Sequence, residues 1–368
     1  MSYKNKILHI ANWLGMGGAE KLLVETLPRY RKAGFDVELL LTTDITTPLR
    51  TELEKHVKIH TLPHSSFYDI RSIFRIIPFI KKYDLVHVHL FPPQYYVAIA
   101  KLLSRSKTPL VFTEHSTSNT RMKSKIFILP DKFVYAQYTK ICCITDQVKK
   151  ILEQRINISQ ERLVVIENGV DLEKIGLAKK NERKNINTGL TDDDVLLLQV
   201  SSFQEPKDQI TVIKSLLHLP ENIKLLLAGD GVLRKECESL TSELNLQHRV
   251  FFLGLRNDIP QLLKTVDLVL LSSKYEGLSL SSVEGMACGK PFIASDVPGL
   301  TEVVGGAGVL FPAGDDIKLS MEILKLIDNK DYYNTIAEKC ELRSRQYDIN
   351  IMVDKHITLY NKLLKNIT

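Results

Sequence analysis

The 368-residue chain has five cysteines, one tryptophan and an aromatic content of only 7%. The cysteines are odd in number and irregularly spaced, with Cys142 and Cys143 adjacent. They form neither a disulfide framework nor a zinc-binding spacing, which predicts a chain working in a reducing cytoplasm. No apolar run approaches the roughly 20 residues that cross a bilayer. The opening residues, MSYKNKILHIANWLGMGGAEK, do not read as a signal peptide, because His9, Asn12 and glycines break the apolar part and no small-residue cleavage site follows. The sequence also lacks short internal repeats and any aromatic-plus-basic cluster of the kind that grips nucleic acid. What remains is an ordinary globular composition, 44% hydrophobic and 25% charged, long enough for two domains with a core each.

Charge is unevenly shared. Through Lys174 there are 26 Lys/Arg against 17 Asp/Glu, and beyond it 23 against 26, so the net +6 belongs to the first half. Such a surplus serves nucleic acid, anionic lipid headgroups or a phosphorylated substrate, or simply keeps a surface solvated. Within it, Ser65 to Tyr83 contains RSIFRIIPFIKKY. That pattern suits an amphipathic element on a membrane surface, or a core-facing helix with a basic outer side.

Apolar strand-like runs alternate with longer helical stretches, the pattern of parallel sheets with crossover helices. The first series is Ile7–Ile10, Val37–Leu41, Leu85–His89, Leu110–Thr113, Ile141–Ile144 and Val164–Ile166. The second is Leu196–Val200, Lys224–Ala228, Val250–Leu253, Leu268–Leu271, Phe292–Ser295 and Val309–Phe311. Between them a polar segment rich in Lys, Asn and Asp reads as a linker. The expected division is a first domain over 1–172, a linker over 173–194, a second domain over 195–346 and a terminal helix within 347–368.

The most informative stretch is Ser272 to Glu302, SSKYEGLSLSSVEGMACGKPFIASDVPGLTE. A buried strand feeds a break at Gly277, and a short helix then ends near Gly289. Backbone N–H groups at a helix start attract a phosphate, which points to Gly277, Leu278, Ser279 and Leu280. A carboxylate one turn further in, Glu284, can accept from two ribose hydroxyls. Glu276, eight residues earlier, would hold another polar group. The local pattern suits a sugar nucleotide.

This string, with its two glutamates, its small-residue helix and the GKP that follows, resembles the donor-site motif of family-four retaining glycosyltransferases. The resemblance extends over nearly the whole chain. It implies the α/β GT-B fold, two Rossmann-like doubly wound domains facing across a cleft, with the last helix returning to the first domain. It implies transfer from a nucleoside-diphosphate sugar, a UDP-sugar, to a glycan or lipid-linked glycan, in bacterial surface polysaccharide or lipopolysaccharide synthesis. Transfer would proceed on one face of the sugar, with the leaving diphosphate stabilised by positive charge and N–H groups and no cofactor or required metal. The cysteine usage and the basic stretch Arg71–Lys82, read apart from the resemblance, would place the protein in the cytoplasm with peripheral contact to an anionic membrane.

Residue by residue, the resemblance implies that Gly17 and Gly18, in the loop Trp13 to Glu20, face the diphosphate and acceptor. His115, directly after a strand, would contact the transferred sugar, and Lys207 the diphosphate. The family usually has an arginine where this chain has Ser202, so one expected phosphate cation is missing. Arg256 is the base-side candidate. Gly229-Asp230-Gly231 and Asn168-Gly169-Val170-Asp171 are read as turn and cleft lining. Glu276 would position the sugar hydroxyls and Glu284 the ribose.

Competing readings are few. Asp44 could grip a ribose in a dehydrogenase, but Glu20 stands where the third glycine of a dinucleotide fingerprint belongs. His87 and His89 share a strand face but lack further zinc ligands at suitable spacing. Asp192-Asp193-Asp194 contains the DxD of a different glycosyltransferase fold, yet its place before a strand suits a turn or cap. A sugar-nucleotide epimerase, or a non-catalytic nucleotide-sugar-binding module, also remains open.

Overall fold

The computed structural model describes residues 5–15, 17–63, 66–115 and 124–365. Met16 of the glycine loop, Ser65 of the basic stretch and the last three residues lie outside the described residues. The chain divides into two units, Met1–Gly169 with Ile349–Thr368, and Val170–Asp348.

The first unit is built on seven strands: β1 (Lys6–Ala11), β2 (Asp36–Leu41), β3 (Lys58–Thr61), β4 (Leu85–His89), β5 (Leu110–Glu114), β6 (Lys140–Cys143) and β7 (Leu163–Val165). They form one sheet in the order β3-β2-β1-β4-β5-β6-β7, with every pairing parallel. Central strands β4 and β5 are buried along their whole length because both faces are covered, even at His87, His89, Thr113 and Glu114. β3 escapes the sequence reading for the opposite reason. Its KIHT has no apolar run and sits at the sheet edge, with Lys58 exposed.

The second unit carries β8 (Val195–Val200), β9 (Ile223–Ala228), β10 (Val250–Gly254), β11 (Leu268–Leu271), β12 (Phe292–Ser295) and β13 (Val309–Phe311), all parallel, in the order β10-β9-β8-β11-β12-β13. Residues 173–194 fall inside this unit. They hold the short helices Leu172–Gly176 and Arg183–Ile186 and bury Ile175, Ile186 and Leu190. Arg183 ties the segment to the sheet by an ion pair to Asp267 at 3.2 Å. Asp194 closes its end, accepting from Thr191 N at 2.7 Å and Thr191 Oγ1 at 2.9 Å, which is a turn role.

The final helix, Ile349–Lys365, belongs to the first unit. It buries His356, Leu359 and Tyr360 and packs against the helix Gly18–Lys32. Among the described residues no helix is long and apolar enough to cross a membrane.

Candidate active site

In an open parallel sheet, ligands bind beyond the carboxyl ends of the strands where the order reverses. In the second unit that point lies between β8 and β11, and the loops leaving both strands are stitched together there. Lys207 and Ser273 form an isolated antiparallel bridge. Lys274 N donates to Pro206 O at 2.9 Å, and Asp208 N to Ser272 O at 3.1 Å. Beneath them, Gln199 Oε1 accepts from Ser272 N at 3.1 Å.

This stitching brings the Lys207 ammonium onto the Glu276 carboxylate, although the two are 69 residues apart. Ser273 Oγ donates to the same carboxylate oxygen at 2.6 Å. The pair is largely sheltered, with the side chains 14% and 11% exposed, so solvent screens it less than a surface pair. Lys207, read from the sequence as a diphosphate cation, is therefore already paired with the residue assigned to the sugar.

Two glycines permit this arrangement. Gly229 has φ +142°, and a Cβ there would lie 2.0 Å from Ser201 O, so only glycine lets the β9 turn close on the β8 loop. Gly299 has φ +88°, and its Cβ would lie 2.3 Å from Glu276 O and 2.4 Å from Gly277 O. The Gly299 backbone thus supports the Glu276 segment directly, and Glu276 N donates to neighbouring Pro298 O at 3.1 Å.

The helix after this loop runs Leu280–Met286 and stops before the expected Gly289. Gly289, at φ +78°, turns the chain out of the helical course before Pro291 and β12. Leu278 and Ser279 are buried, and Ser279 Oγ lies 3.1 Å from Ser281 Oγ. Glu284 is half-buried one turn into the helix. Ser202 is exposed, and its carbonyl accepts from Gln209 Nε2 at 2.9 Å. Arg256, the base-side candidate, forms a two-pronged pair with Asp258 at 2.8 and 2.7 Å. That fork raises the guanidinium further and holds the Asp258 carboxyl below its usual range. Any base contact by Arg256 would have to compete with it.

In the first unit, Gly17 and Gly18 are exposed at the start of the helix Gly18–Lys32. A Cβ on Gly17 would lie 2.4 Å from Glu20 Oε2. Burial pushes the Glu20 carboxyl up. His115 follows β5, and among the described residues neither of its buried ring nitrogens has a hydrogen-bond partner. Burial pushes its pKa down to about 4, so it is neutral near pH 7.

Sequence reading missed the cluster behind His115. His89 lies tilted against it at 5.9 Å between ring centres, and His9 Nδ1 lies 3.0 Å from His89 Nε2. His87 bonds Tyr360 of the final helix at 2.6 Å and Thr113 at 2.7 Å. Ring nitrogens of His9, His87 and His89 lie within 4.8 Å of one another, but both those of His87 are engaged in hydrogen bonds. These histidines pack β1, β4 and the terminal helix together. Asp44 pairs with Arg50 at 2.7 Å. Asn168 is buried, Gly169 N donates to Met352 Sδ at 3.2 Å, and Asp171 caps the helix Leu172–Gly176.

Two parallel doubly wound sheets with a stitched loop pair at a switch point define the GT-B class of fold, the twin-Rossmann plan of many sugar-transferring enzymes. Residues 16–174 match the model of Glycosyltransferase Family 4, and residues 180–343 match that of Glycosyl transferases group 1. The chain belongs to the group 1 glycosyltransferases and is a glycosyltransferase. It is 26% identical to the UDP-Gal:alpha-D-GlcNAc-diphosphoundecaprenol alpha-1,3-galactosyltransferase of Escherichia coli, over 99% of this chain and 98% of the relative. It is 26% identical to a Campylobacter jejuni N-acetylgalactosamine-N,N'-diacetylbacillosaminyl-diphospho-undecaprenol 4-alpha-N-acetylgalactosaminyltransferase, over 91% of this chain and 93% of the relative. Among solved structures, Anabaena HepE in complex with UDP and glucose shares the fold, with TM-score 0.84 and 24% identity over 98% of this chain and all of that one.

Proposed function

We propose that the protein transfers a sugar, with retention of anomeric configuration, from a UDP-sugar to a hydroxyl of a lipid-linked glycan in the assembly of a bacterial surface polysaccharide. The observation that carries this reading is the Lys207–Glu276–Ser273 contact at the β8/β11 switch point, one loop before Glu284. The UDP part is supported by the bound UDP of the Anabaena structure and the lipid-linked acceptor by the names of the two relatives.

Glu284 receives the ribose hydroxyls, and Lys207 with the backbone of 277–280 receives the diphosphate. Glu276 orients the donor sugar. His115, a neutral imidazole whose two buried nitrogens have no partner among the described residues, gains one when it bonds a sugar hydroxyl. The bond from the anomeric carbon to the diphosphate oxygen breaks as the acceptor oxygen attacks on the same face. The acceptor proton passes to the departing diphosphate, and the products are UDP and the extended glycan. Rate enhancement comes from positioning and preorganised charge, and in this reading no metal takes part.

The test is incubation with a panel of UDP-sugars and polyprenyl-diphosphate-linked acceptors, with the product's anomeric configuration assigned by NMR. One retained glycoside is expected. An inverted product would overturn the retaining mechanism, and acceptor-independent conversion of one UDP-sugar into another would overturn transfer in favour of epimerisation.

A further inference from the structure

We propose that the first unit seats on an anionic bilayer through a patch at the carboxyl edge of its sheet, formed where the helices Ser72–Ile80 and Ile128–Tyr135 begin. The proposal rests on the lipid-linked acceptor reading above and names the surface that would meet the lipid. The helices Ser72–Ile80, Pro93–Ser104 and Ile128–Tyr135 pack side by side on one face of the sheet, as right-handed crossovers on the β4–β6 side require. Each such helix runs opposite to the strands, so its first turn lies at the carboxyl edge, the edge that also carries His115. There Tyr68, Ile70, Phe74, Ile126 and Leu129 stand 66–80% exposed. Scattered single apolar side chains on a surface are ordinary, but two groups at the starts of helices flanking Pro93–Ser104, on one face and one edge of the sheet, are not scattered.

Charge selects the occupant. Residues 66–135 contain eleven Lys/Arg and four Asp/Glu. Glu114 and Asp131 are buried, and the Asp69 carboxylate is 8% exposed and gripped by Arg71 at 2.6 Å. Asp84 is exposed but opens β4 at the opposite edge, accepting from Lys6 N at 2.7 Å. Arg71, Arg75, Lys125 and Lys132 are exposed around the apolar group. Large apolar tips ringed by cations, where the acids of residues 66–135 at that edge are all buried or covered, match an anionic headgroup layer over an acyl boundary. An acceptor held in that layer by its lipid would be presented beside His115.

The test uses the full chain in vesicle sedimentation, with phosphatidylcholine alone against phosphatidylcholine containing a third of phosphatidylglycerol. Binding to the anionic vesicles alone, weakened by high salt, is expected. The pair Ile126→Ser with Leu129→Ser should lower partitioning at least about tenfold, and each of Arg71→Gln, Arg75→Gln and Lys125→Gln about fivefold. UDP affinity and transfer to a water-soluble short-chain acceptor should stay as in the wild type, which separates failure of this surface from failure of the catalytic reading. Equal binding to neutral vesicles, no binding to either, or variants that sediment like the wild type would overturn the proposal. So would loss of a dimer in these variants by sedimentation velocity, which would assign the patch to a second copy.

Discussion

Glu276→Gln separates the two roles that meet at the switch point. The substitution keeps shape and removes the charge that Lys207 faces in the nucleotide-free protein. The remaining contact, from Ser273 Oγ at 2.6 Å, can still be made to the amide oxygen. A hydrogen bond to a charged group contributes on the order of 1.5–3 kcal/mol, and its loss leaves a sheltered ammonium without its counter-ion. In the wild type, a diphosphate that recruits Lys207 must share it with Glu276. In the variant that competition is gone. If about 1 kcal/mol is returned on binding, UDP should bind roughly fivefold tighter by calorimetry. Without nucleotide, a loss of about 1–2 kcal/mol should lower Tm by a few degrees. Transfer should nevertheless slow at least about tenfold, because the donor sugar loses its orienting carboxylate. UDP binding that weakens in Glu276→Gln would refute the reasoning, since Lys207 would then not be the shared cation.

Other consequences are equally direct. Lys207→Ala should nearly abolish turnover in a coupled UDP-release assay, whereas Ser202→Arg, at an exposed position, should be tolerated and tighten UDP binding by calorimetry. Gly299→Ala forces a Cβ against two backbone oxygens at φ +88°, so a cost of about 1–3 kcal/mol in urea melts and reduced transfer are expected. Burial holds His9 down to about 3 and His115 and His356 to about 4, against 6.5 in the unfolded chain. Below pH 6.5 the unfolded chain therefore binds more protons, and stability is lost as pH falls towards those values. Each group contributes up to about 1.4 kcal/mol per pH unit, so the urea midpoint should fall steeply between pH 6.5 and 4.5 and stay flat from 6.5 to 8 on their account.

Much of the fold was legible because central parallel strands are largely apolar runs, uninterrupted in Leu268–Leu271 and broken only by histidines in Leu85–His89. β3 was not, since an edge strand as polar as KIHT carries no such signal. The glutamates at 276 and 284 were readable because they lie within one strand–loop–helix string. The Lys207–Glu276 pair was not, because it depends on an antiparallel bridge between two loops of an otherwise parallel sheet. The histidine cluster was hidden for a similar reason: His9 and His356 come from opposite ends of the chain, and helical periodicity over 349–365 does not say which unit receives the helix. Arg256 looked available until Asp258, two residues on, was seen to hold it.

The most direct measurement is UDP release from a panel of UDP-sugars, with and without a polyprenyl-diphosphate-linked acceptor, for the wild type and Glu284→Ala. We expect one donor to release UDP far faster when acceptor is present, with Glu284→Ala losing UDP affinity by roughly fivefold or more. Release from no UDP-sugar, or the same UDP affinity and rate in both proteins, would contradict the assignment of this site.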